Sequence, residues 1–424
     1  MIAILGGGLA GIQAGLALQK AGVPFRVLER EDAIGGLLRP GRRLGWTYDL
    51  GVKALYSVNQ KVMDYLKSLP VAYCEHRRRV TVHHRDPATG SSCELDYPFE
   101  NGLGGLPHEA KVACLMGYIE AQQGSREVKN FLDWIMRRLG RGIAEAFMLP
   151  YNRKIWNAPL EEISPNLVAQ KIHPAPLEEI VRSCLGERIV GRKYQARFIY
   201  PTHGLPALLE AMASPIAANI TTRFSLTRIE DTGDGFRLHG ACGRVVTCRA
   251  VISTIPLPAL RRAVPYDDCP AADWPHNNTV FHAVLLKNAS GPDVHWQFFA
   301  SPEIPFYRLT YSHAFSPALK PAIVAEMTER PGAAYRPEDT VRWLNTIGIA
   351  RPDNVESVQT HRLECTYPIP TLRSEAELPG VVEFLEARNI FPLGRSGSWR
   401  YLNIDGVIAQ VCEKTPDILR RAPL

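Results

Sequence analysis

Three glycines near the start of the chain, Gly6, Gly8 and Gly11, stand in the order G-x-G-x-x-G. Residues of that type at that spacing can hold a diphosphate. The first glycine permits a tight turn, the second lets a pyrophosphate approach the backbone, and the third lets a helix pack closely on the preceding strand with its N-terminus toward the phosphates. A carboxylate, Glu29, follows about where a dinucleotide site places the group that binds ribose. The chemistry indicated is capture of a dinucleotide.

The elements around these residues agree with that reading. Ile2 to Leu5 is an apolar run of the kind that forms a buried strand, Ala10 to Lys20 carries helical periodicity, and the strand PFRVLER ends on Glu29. With 424 residues the chain is too long for one core, so two or three domains are expected. Its hydrophobic fraction of 46% and charged fraction of 22% are those of a globular protein. No apolar run approaches the ~18 residues of a membrane span. The first apolar run feeds a glycine turn without a preceding basic region, so no signal peptide is expected. Nine cysteines without metal-ligand spacing suggest reduced thiols and a cytoplasmic setting. The net charge of +6 is mild, and an anionic small molecule accounts for it as well as nucleic acid does; the partner expected is a small molecule and not nucleic acid.

Farther along, Asn59 to Leu66 reads as a helix, and HRRRVTVHH and CELDYPF read as a hairpin about Arg85 to Gly90. The basic run Arg77, Arg78, Arg79 with His83 and His84 is expected on the solvated face of an edge strand. Phe131, Leu132, Ile135, Leu139, Ile143 and Phe147 recur at helical spacing and are core positions. From Ile220 the pattern turns to strands, closing with AVISTI before Pro256. A second β-rich stretch follows, and the chain ends on a strand and a helix.

Behind Glu29 the glycine pair Gly35 and Gly36 and the strand end Asp49 to Gly51 resemble the extended FAD-binding signature of the amine oxidase and protoporphyrinogen oxidase type of flavoenzyme. Five stretches are similar, in order and spacing, to the UDP-galactopyranose mutase branch. They are DYPFENGLGGLP, FMLPYNRKIWNAPLEEIS, FYRLTYSHAFSP, TYPIPTL and GRSGSWRYLNIDGVIA. The resemblance implies an α/β fold, α+β overall. A discontinuous Rossmann-like FAD-binding domain would comprise 1–57, 200–262 and 388–424. A largely helical insertion with a β-hairpin would span 58–199, and a β-sheet substrate domain 263–387.

The resemblance further implies FAD at Gly6, Gly8, Gly11, Glu29, Arg30, Gly35, Gly36 and Leu37, and also at Gly51, Leu226, Gly394, Arg395, Asn403, Ile404 and Asp405. In the mutase branch the reduced flavin attacks the anomeric carbon of a nucleotide sugar through N5, a nucleoside diphosphate leaves, and the sugar recloses with another ring size. Arg308 and Arg395 would then hold the pyrophosphate, with Tyr367 and Tyr401 adding hydroxyls. The helix after Asn403 and Asp405 would stabilise anionic reduced flavin by its N-terminal dipole. Two positions depart from the branch. Lys53 stands where a redox-responsive histidine is usual, a fixed cation in place of an imidazole, and Lys171 stands where a substrate-binding arginine is often found. The expected activity is therefore pyranose/furanose isomerisation of a nucleotide-linked sugar. The alternative is an FAD-dependent oxidoreductase of the amine oxidase type, and a homo-oligomer is left open.

Overall fold

Ile2–Leu5 is buried on both faces, and a strand so placed needs a parallel neighbour on each side and helices above and below. It pairs in parallel with Phe25–Leu28 on one edge and Ala250–Ser253 on the other. The sheet is completed by Ile220–Thr221 and Ile390–Pro392, again in parallel. Three separate stretches of the sequence thus supply one sheet. The helix Leu9–Lys20 and the closing helix Ile404–Arg421 pack together, sharing a core with Leu205, Leu208 and Met212 of the helix Leu205–Ala213. The computed structural model describes residues 1–86, 89–124, 127–169, 175–187, 189 and 196–422.

A larger, seven-stranded sheet forms the second half of the molecule. Its order is Val355–Pro368, His276–Leu286, Ala322–Thr328, Arg308–Tyr311, Trp296–Phe299, Val80–Arg85 and Ser92–Asp96. The expected hairpin forms, with His84 opposite Cys93, but it is continuous with this sheet: Val80–Arg85 lies parallel to Trp296–Phe299. Periodicity shows that a strand exists and not which distant strand it joins. The basic run is correspondingly divided. Arg77 and Arg79 are exposed, and Arg79 pairs with Asp293 at 2.9 Å, whereas His83 is buried with Nδ1 2.8 Å from Glu94 Oε1. The solvated-face expectation therefore fails for His83, because its strand is flanked on both sides.

Helices His108–Gln123 and Phe131–Ile143 pack against the hairpin strands, with Phe131, Ile135, Leu139, Ile143 and Phe147 all buried. Leu149–Ile155 then sets Tyr151 against Phe298 of the large sheet, and the loop behind it carries Trp156. The helix expected from Asn59 runs over Gln60–Ser68, with the Asn59 side chain accepting from the Lys61 N–H.

Candidate functional site

The glycine turn between Ile2–Leu5 and Leu9–Lys20 is held by Glu29. Its Oε2 accepts from the Gly7 N–H at 2.6 Å and its Oε1 from the Glu31 N–H at 2.9 Å. Gly35 donates to the Gly7 carbonyl at 2.9 Å, so the glycine pair lies directly on the first turn, and Gly36 with Leu37 opens a short 3-10 turn beside it. The helix behind Gly8 has no side-chain cap and no acidic residue in its first turn. Its free N–H groups and the bare glycine backbone suit a diphosphate. Gly11 explains the closeness of the turn, since a Cβ there would lie 1.9 Å from the Gly6 carbonyl oxygen. Gly11→Ala is accordingly expected to force helix and turn apart, costing about 1–3 kcal/mol. Purified protein should carry under half the wild-type flavin per chain, by absorbance.

The other expected cofactor residues surround this cradle unequally. Leu226 begins Leu226–Asp231 in a separate three-stranded sheet, just after Arg223 and Phe224 donate to the carbonyls of Glu31 and Glu29. Gly394 packs on Ala10. Asn403 occupies the N-cap of the closing helix without capping it; its Nδ2 instead donates to Tyr56 at 2.7 Å. Ile404 packs into the core shared with the opening helix, and Asp405 lies in the first turn. Arg30 faces solvent, ion-paired with Glu31 at 3.0 Å and Glu364 at 3.2 Å.

The residues expected to handle substrate converge where the two sheets meet. Tyr367, near the end of Val355–Pro368, and Tyr401, just before the closing helix, stack with ring centroids 5.7 Å apart. The Arg395 guanidinium lies 4.5 Å from the centre of each ring, and buried Trp156 meets both rings edge-on. Arg395 Nη1 donates to the Leu402 carbonyl at 3.0 Å, while its buried Nε has no partner among the described residues. Burial pulls its pKa downward.

Arg308 is engaged differently. Its strand pairs with Ala322–Thr328 so that Glu326 stands directly opposite it, and the two form a bidentate pair of 2.7 and 2.6 Å. Tyr307 also reaches Glu326, and Arg308 Nη2 lies 3.3 Å from the Tyr367 hydroxyl. Burial opposes the Arg308 charge most strongly, but the Glu326 carboxylate together with Tyr367 and Tyr307 outweighs it and raises the pKa. Gly51 lies against the same carboxylate; a Cβ there would come within 3.0 Å of Glu326 Oε1, and its φ of +79 suits glycine.

Lys53 faces this group from the loop after Gly51. Burial lowers its pKa to about 8, opposed by Glu326 and Asp49 and assisted by Arg395 and Arg308. Lys53 is thus still a cation at neutral pH, and desolvation brings its titration closer to neutrality than that of an exposed lysine. Asp49 accepts from Tyr200, its other oxygen has no partner among the described residues, and burial raises its pKa to about 6. The cluster therefore holds three cations against two carboxylates, leaving room for an anion. Lys171 lies outside the described residues.

Glu326 and Asp49 were missed as site residues. For Glu326 a signal existed, since it is the single charge in AIVAEMT, a strand buried along its whole length. A carboxylate there needs a cation, and only strand register names Arg308.

Comparison with known proteins agrees with this architecture. Residues 9–285 match the family model of flavin containing amine oxidoreductase. The chain belongs to that family. As a member of the flavin-containing amine oxidoreductases it takes FAD, and the uncapped helix and glycine cradle fit that cofactor. The fold is similar to the crystal structure of reduced UDP-galactopyranose mutase, with a TM-score of 0.89 and 25% identity over 99% of this chain and 94% of that one. A CLA-producing fatty acid isomerase from P. acnes gives a TM-score of 0.66 at 17% identity, covering 99% of this chain and 98% of that one. Putrescine oxidase bound to putrescine gives 0.63 at 15%, covering 99% of both chains. These last two share the fold. An uncharacterized protein in the nifH2 3' region of Methanothermococcus thermolithotrophicus is 43% identical over 58 residues, 14% of this chain, and the match spans 56% of that protein. No helix of the described residues is long and apolar enough to cross a membrane.

Proposed function

We propose that this flavoenzyme acts on a nucleotide-linked sugar, isomerising its pyranose and furanose rings, as the name of the reduced UDP-galactopyranose mutase suggests. The observation that carries the reading is Arg395, a guanidinium between two tyrosines with a buried unpartnered Nε and no carboxylate in ion-pair reach among the described residues. A diphosphate supplies the missing charge, with the Tyr367 and Tyr401 hydroxyls as further donors. Arg308 is already neutralised by Glu326 and serves to fix Tyr367 and the cation array. Reduced FAD supplies an electron-rich N5 nucleophile. On this proposal the five-stranded sheet with its helices is the cofactor domain, and the seven-stranded sheet carries the substrate side. Anaerobic incubation of dithionite-reduced protein with a panel of nucleotide sugars should yield ring isomers on chromatography. No product and no flavin perturbation across the panel would falsify the reading.

A second reading, an FAD-dependent oxidoreductase, is favoured by Lys53, a cation buried beside Asp49 and Glu326 where the mutase branch usually has a histidine. An amine or other reduced substrate should then bleach the oxidised flavin under anaerobic conditions. Absence of bleaching with amines, porphyrinogens and reduced sugars removes it.

Under either reading we place Lys53 beside the flavin, where its charge favours the anionic reduced form. Lys53→Met should lower the reduction potential. The lysine titrates at about pH 8 before the flavin is reduced and higher once the anion forms, so the difference between variant and wild type should be largest at pH 6–7 and shrink at alkaline pH. Potentiometric titration at several pH values checks this, and equal potentials throughout place the side chain elsewhere.

A further inference from the structure

The short hairpin Gly41–Arg43 and Trp46–Tyr48 breaks a local rule without any return inside the chain. Arg43 pairs with Trp46, so the loop is the two residues Leu44 and Gly45, both with positive φ, of 51 and 77. A turn of this kind prefers Asn, Asp or Gly at its first position, because a Cβ there is strained. Here that position carries leucine, and its side chain is 57% exposed. Trp46 beside it is 44% exposed, with the Lys320 ammonium 5.3 Å from its ring. Nothing in the described residues covers the tip, since a Cβ at Gly45 would meet no atom within 4 Å.

Lys320 is paired with Glu356 at 2.5 Å, so the uncompensated charges at the tip are those of two arginines. Arg42 and Arg43 are exposed and have no ion pair among the described residues, in contrast to Arg39, which is paired with Glu31 and Asp32. An exposed leucine and tryptophan flanked by free arginines match the interface of an anionic bilayer. There apolar side chains enter the acyl boundary, tryptophan settles at headgroup level, and guanidinium groups meet phosphates. A protein partner fits less well. A stable protein interface needs about 800 Å² from each side, and four tip residues fall well short, whereas a membrane surface demands no matched shape. We propose that this hairpin is a peripheral anchor that docks the enzyme on anionic phospholipid. The strand Trp46–Tyr48 is followed in the chain by Asp49 and, four residues on, by Lys53 of the candidate site.

The test is co-sedimentation of the flavin-loaded full chain with vesicles of phosphatidylcholine alone and of phosphatidylcholine with one-third phosphatidylglycerol, at low and high salt. Wild type should sediment with the anionic vesicles, lose that binding in high salt, and remain free of the neutral ones. Leu44→Asn suits the turn better, so it should raise the thermal midpoint while lowering anionic-vesicle binding at least fivefold. Arg42→Gln with Arg43→Gln should reduce binding comparably, leaving the midpoint within about a degree. Three outcomes overturn the proposal: no sedimentation with anionic vesicles, undiminished binding by Leu44→Asn, or a wild-type dimer in sedimentation velocity that Leu44→Asn abolishes. Preferential retention of an oligonucleotide over anionic vesicles overturns it as well.

Discussion

Arg395→Gln is expected to weaken binding of UDP to the flavin-loaded enzyme by about 10- to 100-fold, the loss of a charge-assisted hydrogen-bonded contact. It should also slow any reaction that expels a diphosphate by about 100-fold or more. The guanidinium is held by two aromatic faces and the Leu402 carbonyl, so its fork is aimed before ligand arrives, and no carboxylate among the described residues competes for it. Arg395→Lys keeps the charge and loses the fork, so it should recover part of the affinity and little of the rate. Titration of UDP against flavin fluorescence measures the first effect, and turnover on the best nucleotide sugar the second. Wild-type affinity in Arg395→Gln would remove the anion site and with it the proposed substrate class.

Glu326→Gln should produce the largest stability loss of any single change at the site. It leaves Arg308 without its bidentate partner while Tyr307 and Tyr367 remain against it. Removing one member of a buried pair costs about 3–5 kcal/mol, and the low end applies here because the Arg308 side chain is 17% exposed. The sign of the double change distinguishes the cause. Glu326→Leu with Arg308→Met removes both charges, and most of the lost stability should return, since a well-packed apolar pair often equals a buried ion pair. Denaturant unfolding of the flavin-loaded protein measures both. If Glu326→Gln unfolds like wild type, the pair contributes nothing and Arg308 is free to bind ligand directly.

The unequal fates of Arg308 and Arg395 show what sequence could carry. Both stand in motifs similar to one family, and both were expected to grip pyrophosphate. Motif position alone does not reveal that one arginine faces a carboxylate across a strand pair while the other lies between aromatic rings and a backbone carbonyl. The difference rests on the register that sets Arg308 opposite Glu326, 18 residues away along the chain. Lys53 teaches the same lesson for charge. As a letter it is a cation, and burial among two guanidiniums and two carboxylates makes it a group that titrates closer to neutrality than an exposed lysine.

By itself the sequence determined the local devices. The glycine spacing, the strand before it, the helix behind it and Glu29 at the next strand end specify a phosphate-binding turn, because each depends on backbone conformation within a few residues. The alternation of the hairpin and the apolar periodicity of Phe131 to Phe147 were legible for the same reason. Only the tertiary structure decided how distant segments meet. It joined the hairpin of residues 80–96 to the large sheet, set Glu326 against Arg308, Gly51 and Lys53, and closed Tyr367 and Tyr401 over Arg395. Strand pairing and desolvation act between residues far apart in the chain, and no local pattern encodes the distance across which two charges face each other.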